Sequence, residues 1–127
     1  MARVADRPKC SECAKPILLD RPFGLSDATF DRVIAAAEVP VIVDCYADWC
    51  GPCRMMAPEL DSFASRHAGA VFTAKLDTDR NQKTSQRFSI RSIPTLLRFE
   101  GGAKTAERAG ALRLAEIERF AGVAPDA

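Results

Sequence analysis

Residues 41–54 read Val-Ile-Val-Asp-Cys-Tyr-Ala-Asp-Trp-Cys-Gly-Pro-Cys-Arg, VIVDCYADWCGPCR. From Val41 to Tyr46 the apolar run is continuous rather than alternating, with one carboxylate, Asp44, inside it. Such a run predicts a short central strand buried on both faces. Cys50-Gly51-Pro52-Cys53 then suits the opening of a helix, where proline lacks an N–H that would be unpaired anyway. A helix N-terminus presents unpaired N–H groups and a partial positive charge, and both favour thiolate over thiol. Thiolate is the species that attacks a disulfide. The three-residue spacing puts Cys53 one turn on, facing the same side, where it can attack a mixed disulfide formed through Cys50. A bare C-x-x-C also serves as half of a metal site. A buried strand behind it and a helix ahead favour redox chemistry.

Working outward, Phe30, Val33, Ile34 and Ala37 form one apolar helical face, with Ser26 or Asp27 available to cap it and Pro40 closing it. A second helix is predicted from about Cys50 to His67, with Met56, Leu60, Phe63 and Ala64 on one side and Pro58 inside it, where a kink is expected. Residues 70–77 read as a strand, 80–88 as a short helix and 95–99 as a third strand. Gly101-Gly102 turns the chain into a weaker strand at 103–108, and a last helix near 112–121 carries Leu114, Ile117 and Phe120 at helical spacing. Strands alternating with helices before a closing hairpin predict an α/β domain with a central mixed β-sheet flanked by helices. Residues 1–25 hold Pro8, Pro16 and Pro22 and read as a loop-rich N-terminal extension. One domain, 26–127, follows it.

Composition narrows the function classes. The chain of 127 residues carries 18 Lys and Arg against 17 Asp and Glu, so no overall field favours nucleic acid or an anionic membrane surface. Residues 1–25 hold five basic and three acidic residues, too small an excess for a basic arm. No stretch approaches the roughly 20 apolar residues of a membrane span, and Ile17-Leu18-Leu19 is too short for a signal-peptide core. A cytoplasmic, monomeric protein is expected. Five cysteines, an odd number, argue against the closed disulfide framework of a secreted domain.

The segment from Val43 to Arg54 resembles the active-site segment of the thioredoxins, and the resemblance extends over about residues 26–122. It implies the thioredoxin fold and protein-disulfide reductase activity, with Cys50 attacking and Cys53 resolving. Asp44 resembles the family's buried aspartate beneath the dithiol, and Lys75 its lysine partner. Ile93-Pro94-Thr95 resembles the loop with a cis-proline facing the cysteines, and Gly110 the small residue at the groove rim. Residue by residue, the matches make chemical sense. Burial should raise the Asp44 pKa and suit it to exchange a proton with Cys53. Lys75 read alone is equally an ordinary solvated strand residue, and Pro94 alone is compatible with a trans turn. If the bond is cis, Ile93 can offer its backbone to an extended substrate. Trp49, Gly51 and Pro52 complete the implied substrate-binding surface.

The resemblance further implies disulfide-containing client proteins and an NADPH-dependent flavoprotein thioredoxin reductase as electron donor, with no cofactor beyond the Cys50–Cys53 pair. The Gly-Pro dipeptide accompanies reductases in this superfamily, near about −270 mV, rather than oxidising relatives near about −120 mV. Cys45 reads as a buried, inert thiol, His67 as a helix-end residue outside the chemistry, and Met55 and Met56 as packing residues.

A second pair, Cys10 and Cys13 in Lys9-Cys10-Ser11-Glu12-Cys13, lies in a proline-flanked loop and resembles the second knuckle of the zinc-binding thioredoxin 2 type. That type uses two C-x-x-C pairs for one zinc, and a structural site wants four ligands. This sequence holds one pair, so Cys10 and Cys13 are candidate zinc ligands only if a further pair lies upstream or a second chain contributes. Otherwise they are a vestige, free or disulfide-bonded. The alternative function is a thiol or zinc redox sensor, or a thioredoxin-like binding module, acting through Cys10 and Cys13.

Overall fold

The computed structural model describes residues 21–123. Its centre is the strand β2 (Val41–Tyr46), in which Val41 to Cys45 are all buried. With β1 (Phe23–Leu25), β3 (Phe72–Asp77), β4 (Thr95–Glu100) and β5 (Ala103–Ala109) it forms one sheet of order β1-β3-β2-β4-β5. The first three strands run parallel, and β4 and β5 are antiparallel to their neighbours. The predicted mixed sheet is the observed one, and the architecture is the thioredoxin fold.

Side chains alternate across a strand, so β2 serves two cores at once. Val41, Val43 and Cys45 pack with Phe30, Ile34, Leu97 and Phe99 on the side of α1 (Phe30–Ala36). Ile42 packs with Met56, Leu60, Phe63, Leu96 and Ile117 on the side of α2 (Gly51–Arg66) and α4 (Leu114–Ala121). Asp44 shares the parity of Ile42 and therefore falls on the α2 face. In α2 the buried residues are Cys53, Met56, Leu60, Phe63 and Ala64, the face expected from their spacing, and the helix continues through Pro58 to Arg66. No helix of the described residues is long and apolar enough to cross a membrane.

Four local features depart from the sequence reading or lie outside it. The first is β1, inside the stretch read as loop. Three residues are too few for periodicity to register, yet Leu25 is buried and the strand pairs with Ala74, Lys75 and Leu76. The second concerns caps. Helix α1 starts at Phe30 after a turn in which the Ser26 side chain accepts the Thr29 N–H at 3.2 Å. Asp27 instead caps the distant α3 (Gln82–Arg87), accepting from Thr84 N at 2.8 Å, Thr84 Oγ1 at 2.7 Å and Lys83 N at 3.3 Å. Those bonds, the Thr84 hydroxyl first, hold its carboxyl below the ordinary value.

The third is the start of α4, which begins at Leu114 rather than Leu112; Leu112 is buried ahead of it, with its N–H 3.3 Å from the Met56 sulfur. The fourth is Glu118, on the buried side of α4 and only 1% exposed. A polar group so placed needs a partner, and His67 at the end of α2 supplies it, with Nε2 2.7 Å from Glu118 Oε2. The His67 ring also lies 5.0 Å from that of Phe63, so one residue joins both helices. We expect His67→Ala to lower the unfolding free energy by about 3 kcal/mol, the low end for orphaning a buried partner, because Arg66 Nη1 remains 3.6 Å from Glu118 Oε2. A drop in the urea midpoint at unchanged slope would register it.

Candidate active site

Cys50 is the N-cap of α2, and its sulfur accepts a hydrogen bond from the Cys53 N–H at 3.2 Å. A backbone N–H and the helix N-terminus therefore both face this sulfur, the environment that favours a thiolate. Cys50 and Cys53 are joined in a disulfide with Cα atoms 5.2 Å apart, and Pro52 stands in the first turn as expected. Both cysteines are 4% exposed, so only a narrow edge of the bond meets solvent, whereas the neighbouring Trp49 is 68% exposed.

Opposite the dithiol, the Ile93–Pro94 peptide is cis, and the Ile93 carbonyl oxygen lies 3.8 Å from Cys50 Sγ. Gly110 donates its N–H to the Pro94 carbonyl at 2.8 Å. Its φ of +102° is one that residues with a Cβ rarely adopt. The ends of β2, β4 and β5 thus bring Trp49, Gly51, Pro52, Ile93, Pro94 and Gly110 around Cys50 and Cys53.

Beneath the dithiol, Asp44 is 1% exposed and its Oδ1 has no hydrogen-bond partner among the described residues. Burial pushes its carboxyl up to about 7, against a smaller opposing pull from Lys75. Asp44 and Lys75 are register partners on β2 and β3, but the ammonium is seated 4.5 Å over the Tyr46 ring. A cavity of about 130 Å³ is lined by Cys53, Asp44, Lys75, Tyr46, Asp48 and Arg54. That is roomy enough for water, which needs about 10–15 Å³ and polar partners. A larger apolar groove between Phe23, Val33 and Phe72 touches none of these residues.

Cys45 is fully buried on the other face of β2, where burial pushes its thiol up to about 12, as an inert thiol requires. Two contacts had no sequence signal. Trp49 Nε1 donates to Asp79 Oδ2 at 2.8 Å, and Arg54 Nη1 donates to the Asp48 carbonyl at 2.6 Å. Met55, read as a packing residue, is 74% exposed instead, because its position on α2 faces away from the sheet. Cys10 and Cys13 lie outside the described residues. Among the described residues no group of three or more His, Cys, Asp or Glu could hold a metal ion.

Comparison with known proteins meets this geometry from another direction. The family model described as Thioredoxin matches residues 22–122. Thioredoxin C-3 of Corynebacterium nephridii is 37% identical over 118 residues, covering 93% of this chain and 81% of its own. Thioredoxin of Haemophilus influenzae is 42% identical over 96 residues, 76% of this chain and 90% of its own. Thioredoxin of Alicyclobacillus acidocaldarius is 50% identical over 86 residues, 68% of this chain and 81% of its own. A match across nearly the whole described structure, with a disulfide at the head of α2 and a buried carboxyl below it, leaves one conclusion: the chain belongs to the thioredoxin family.

Proposed function

We propose that the chain is a protein-disulfide reductase in which Cys50 attacks and Cys53 resolves. The observation that carries this assignment is the Cys53 N–H directed at the Cys50 sulfur, which stabilises negative charge on Cys50 and not on Cys53. In the reduced state the Cys50 thiolate attacks one sulfur of a client disulfide, forming a mixed disulfide and releasing one client thiolate. Cys53 then attacks the Cys50 sulfur, which closes the Cys50–Cys53 bond and releases the second client thiolate. Two electrons pass from the dithiol to the client, with no bound cofactor. Cys53 must lose a proton in that step, and Asp44 is the base that shares its cavity. Its carboxyl, raised to about 7, matches a proton acceptor working near neutrality. Lys75 tempers that rise.

Thioredoxins act on disulfide substrates and are reduced by thioredoxin reductase. For this chain we infer protein clients, an NADPH-dependent flavoprotein donor and a reducing compartment such as the cytoplasm, since a reductase works only where its dithiol is renewed. The client surface comprises Trp49, Gly51, Pro52, the Ile93-Pro94 backbone and Gly110. The domain is best begun at residue 22 rather than 26, because the family match starts there and β1 follows at Phe23.

The finer reading is a thioredoxin 2-type extension, of which this sequence shows one C-x-x-C pair, Cys10 and Cys13. The 118-residue match to Thioredoxin C-3 leaves at most nine residues of this chain outside it, so it takes in positions 10 and 13. Two thiolates are half of what structural zinc requires, and the described residues do not supply the rest: Cys45 is buried and un-ionised, and His67 is held by Glu118. Cys10 and Cys13 together with the described residues therefore do not make up a four-ligand zinc site.

Three measurements bear on these assignments. The wild-type chain should accelerate insulin precipitation in dithiothreitol, and Cys50→Ser should abolish the acceleration; an inactive wild type would overturn the reductase reading. Metal analysis of the purified full chain should find less than stoichiometric zinc, with reductase activity undiminished by a chelator. For Asp44, the folded pKa of about 7 lies above the unfolded value. Its contribution to stability is therefore complete below about pH 4 and is lost as pH rises through 7, an effect on the order of 4 kcal/mol for a fully buried group. Asp44→Asn, neutral throughout, should thus gain in stability over wild type between pH 5 and pH 8, read as a widening gap in denaturant midpoint.

A further inference from the structure

We propose that the apolar triad Ile17-Leu18-Leu19 seats itself in the groove beside α1 and so anchors the N-terminal extension to the domain. The inference goes beyond the reductase reading and does not depend on it.

Among the described residues three large apolar side chains are exposed: Trp49, Met55 and Phe23. Trp49 and Met55 belong to the dithiol end of the molecule, at the head of α2. Phe23 does not. It opens β1 and lines a groove of about 410 Å³ with Arg32, Val33, Ala37, Val39 and Phe72. Its ring stands 5.7 Å from that of Phe72, and together they form one wall. Val33, Ala37 and Phe72 are only partly buried where they pack against the core on the α1 side. Apolar walls left in water favour an apolar occupant.

Position along the chain selects that occupant. Only Asp20, Arg21 and Pro22 separate Leu19 from Phe23 in the groove wall. Four residues of fully extended chain span at most about 14 Å, so Leu19 stays in the neighbourhood of the groove. The chain bends at Arg21, so the residues ahead of it do not simply prolong β1. Before Arg21 the sequence holds no other run of three Ile, Leu, Val, Met or Phe residues.

A segment tethered this closely has an effective concentration in the millimolar range, above that of a free partner, so a weak intrinsic affinity is enough to seat it. A second copy is less well matched. A stable contact between proteins takes about 20–30 residues a side, whereas eight line this groove. Seating the triad here has a consequence for the Cys10–Cys13 pair. The extension that carries it is then anchored on the α1 side of the sheet, while Cys53 turns inward from α2 on the opposite side.

The test uses the full chain and thermolysin, which cleaves beside accessible leucines, with mass spectrometry to score cuts at residues 17–19. Val33→Asp charges the groove, and Ala36→Glu does the same from an exposed lining position that leaves the core untouched. Circular dichroism checks that each variant is folded. Cleavage at 17–19 should be about ten-fold faster in both variants than in wild type, because cutting of a docked segment follows the population of its open form. In Leu18→Asp/Leu19→Asp the uncovered groove should raise the fluorescence of 1-anilinonaphthalene-8-sulfonate above wild type, and adding Val33→Asp should remove that gain. Equal cleavage in wild type and Ala36→Glu, or no added dye signal, would overturn the docking. So would a wild-type dimer that Ala36→Glu dissociates, which assigns the groove to a second copy. An insulin KM raised by Ala36→Glu at unchanged kcat would overturn it too, by assigning the groove to clients. Each of these results leaves the reductase reading standing, since none alters the chemistry of Cys50 and Cys53.

Discussion

Val41, Ile42, Val43, Asp44 and Cys45 are each at most 1% exposed, so each of these five side chains of β2 must find its complement within one of two helical layers. Four of the five do so by apolar packing: Val41, Val43 and Cys45 toward α1, and Ile42 toward α2 and α4. Asp44 cannot. It is a polar group in a position that the sheet requires to be dry, and one of its oxygens is unpartnered among the described residues. Burying such a group unpaired opposes folding. The fold accommodates it by keeping the proton on the carboxyl until about neutral pH, and by a small cavity that opens toward Lys75 and Arg54.

The rest of the site follows from the position of that strand. Parallel pairing with β3 sets Lys75 beside Asp44, and antiparallel pairing with β4 brings the Ile93-Pro94 turn to the end of the sheet where β2 finishes. The chain leaving β2 enters α2 within five residues, so the helix N-terminus comes to rest above the strand end with Cys50 as its cap. The same face of α2 that fills the core with Met56, Leu60 and Phe63 turns Cys53 inward. The difference between the two sulfurs, one served by a backbone N–H and the other facing a carboxyl, is a by-product of ordinary helix burial.

What could be read from the sequence follows from this. β2, α2 and the dithiol lie within a few turns of one another along the chain, and their signals are local: a β-branched run, a C-x-x-C with proline in the first turn, and an apolar stripe at helical spacing. The contacts that escaped are made across the sequence. Asp27 caps a helix more than fifty residues away, His67 meets Glu118 at a separation of 51, and Asp79 reaches back 30 residues to Trp49. Each of these pairings joins residues whose own neighbourhoods give no sign of the distant partner. β1 was illegible for a different reason: three residues on a sheet edge carry no period, and only Leu25 is buried. The paired placement of Asp44 and Lys75 was foreseen by resemblance, yet the seating of the ammonium over Tyr46 depends on a cross-strand neighbour that no single segment reveals.

Cys45 has a consequence for how such a protein survives its own chemistry. Together with Cys50 and Cys53 it makes three sulfurs within nine residues, which could in principle pair in three ways. A third thiol so close to an exchanging disulfide invites scrambling, in which a wrong bond forms and traps the protein out of its cycle. Strand parity prevents it. Cys45 points to the α1 side of the sheet, with the full thickness of the backbone between it and Cys53, and its burial keeps it from ionising near neutral pH. The sheet works as a partition, letting one pair of sulfurs cycle while the third never joins the exchange.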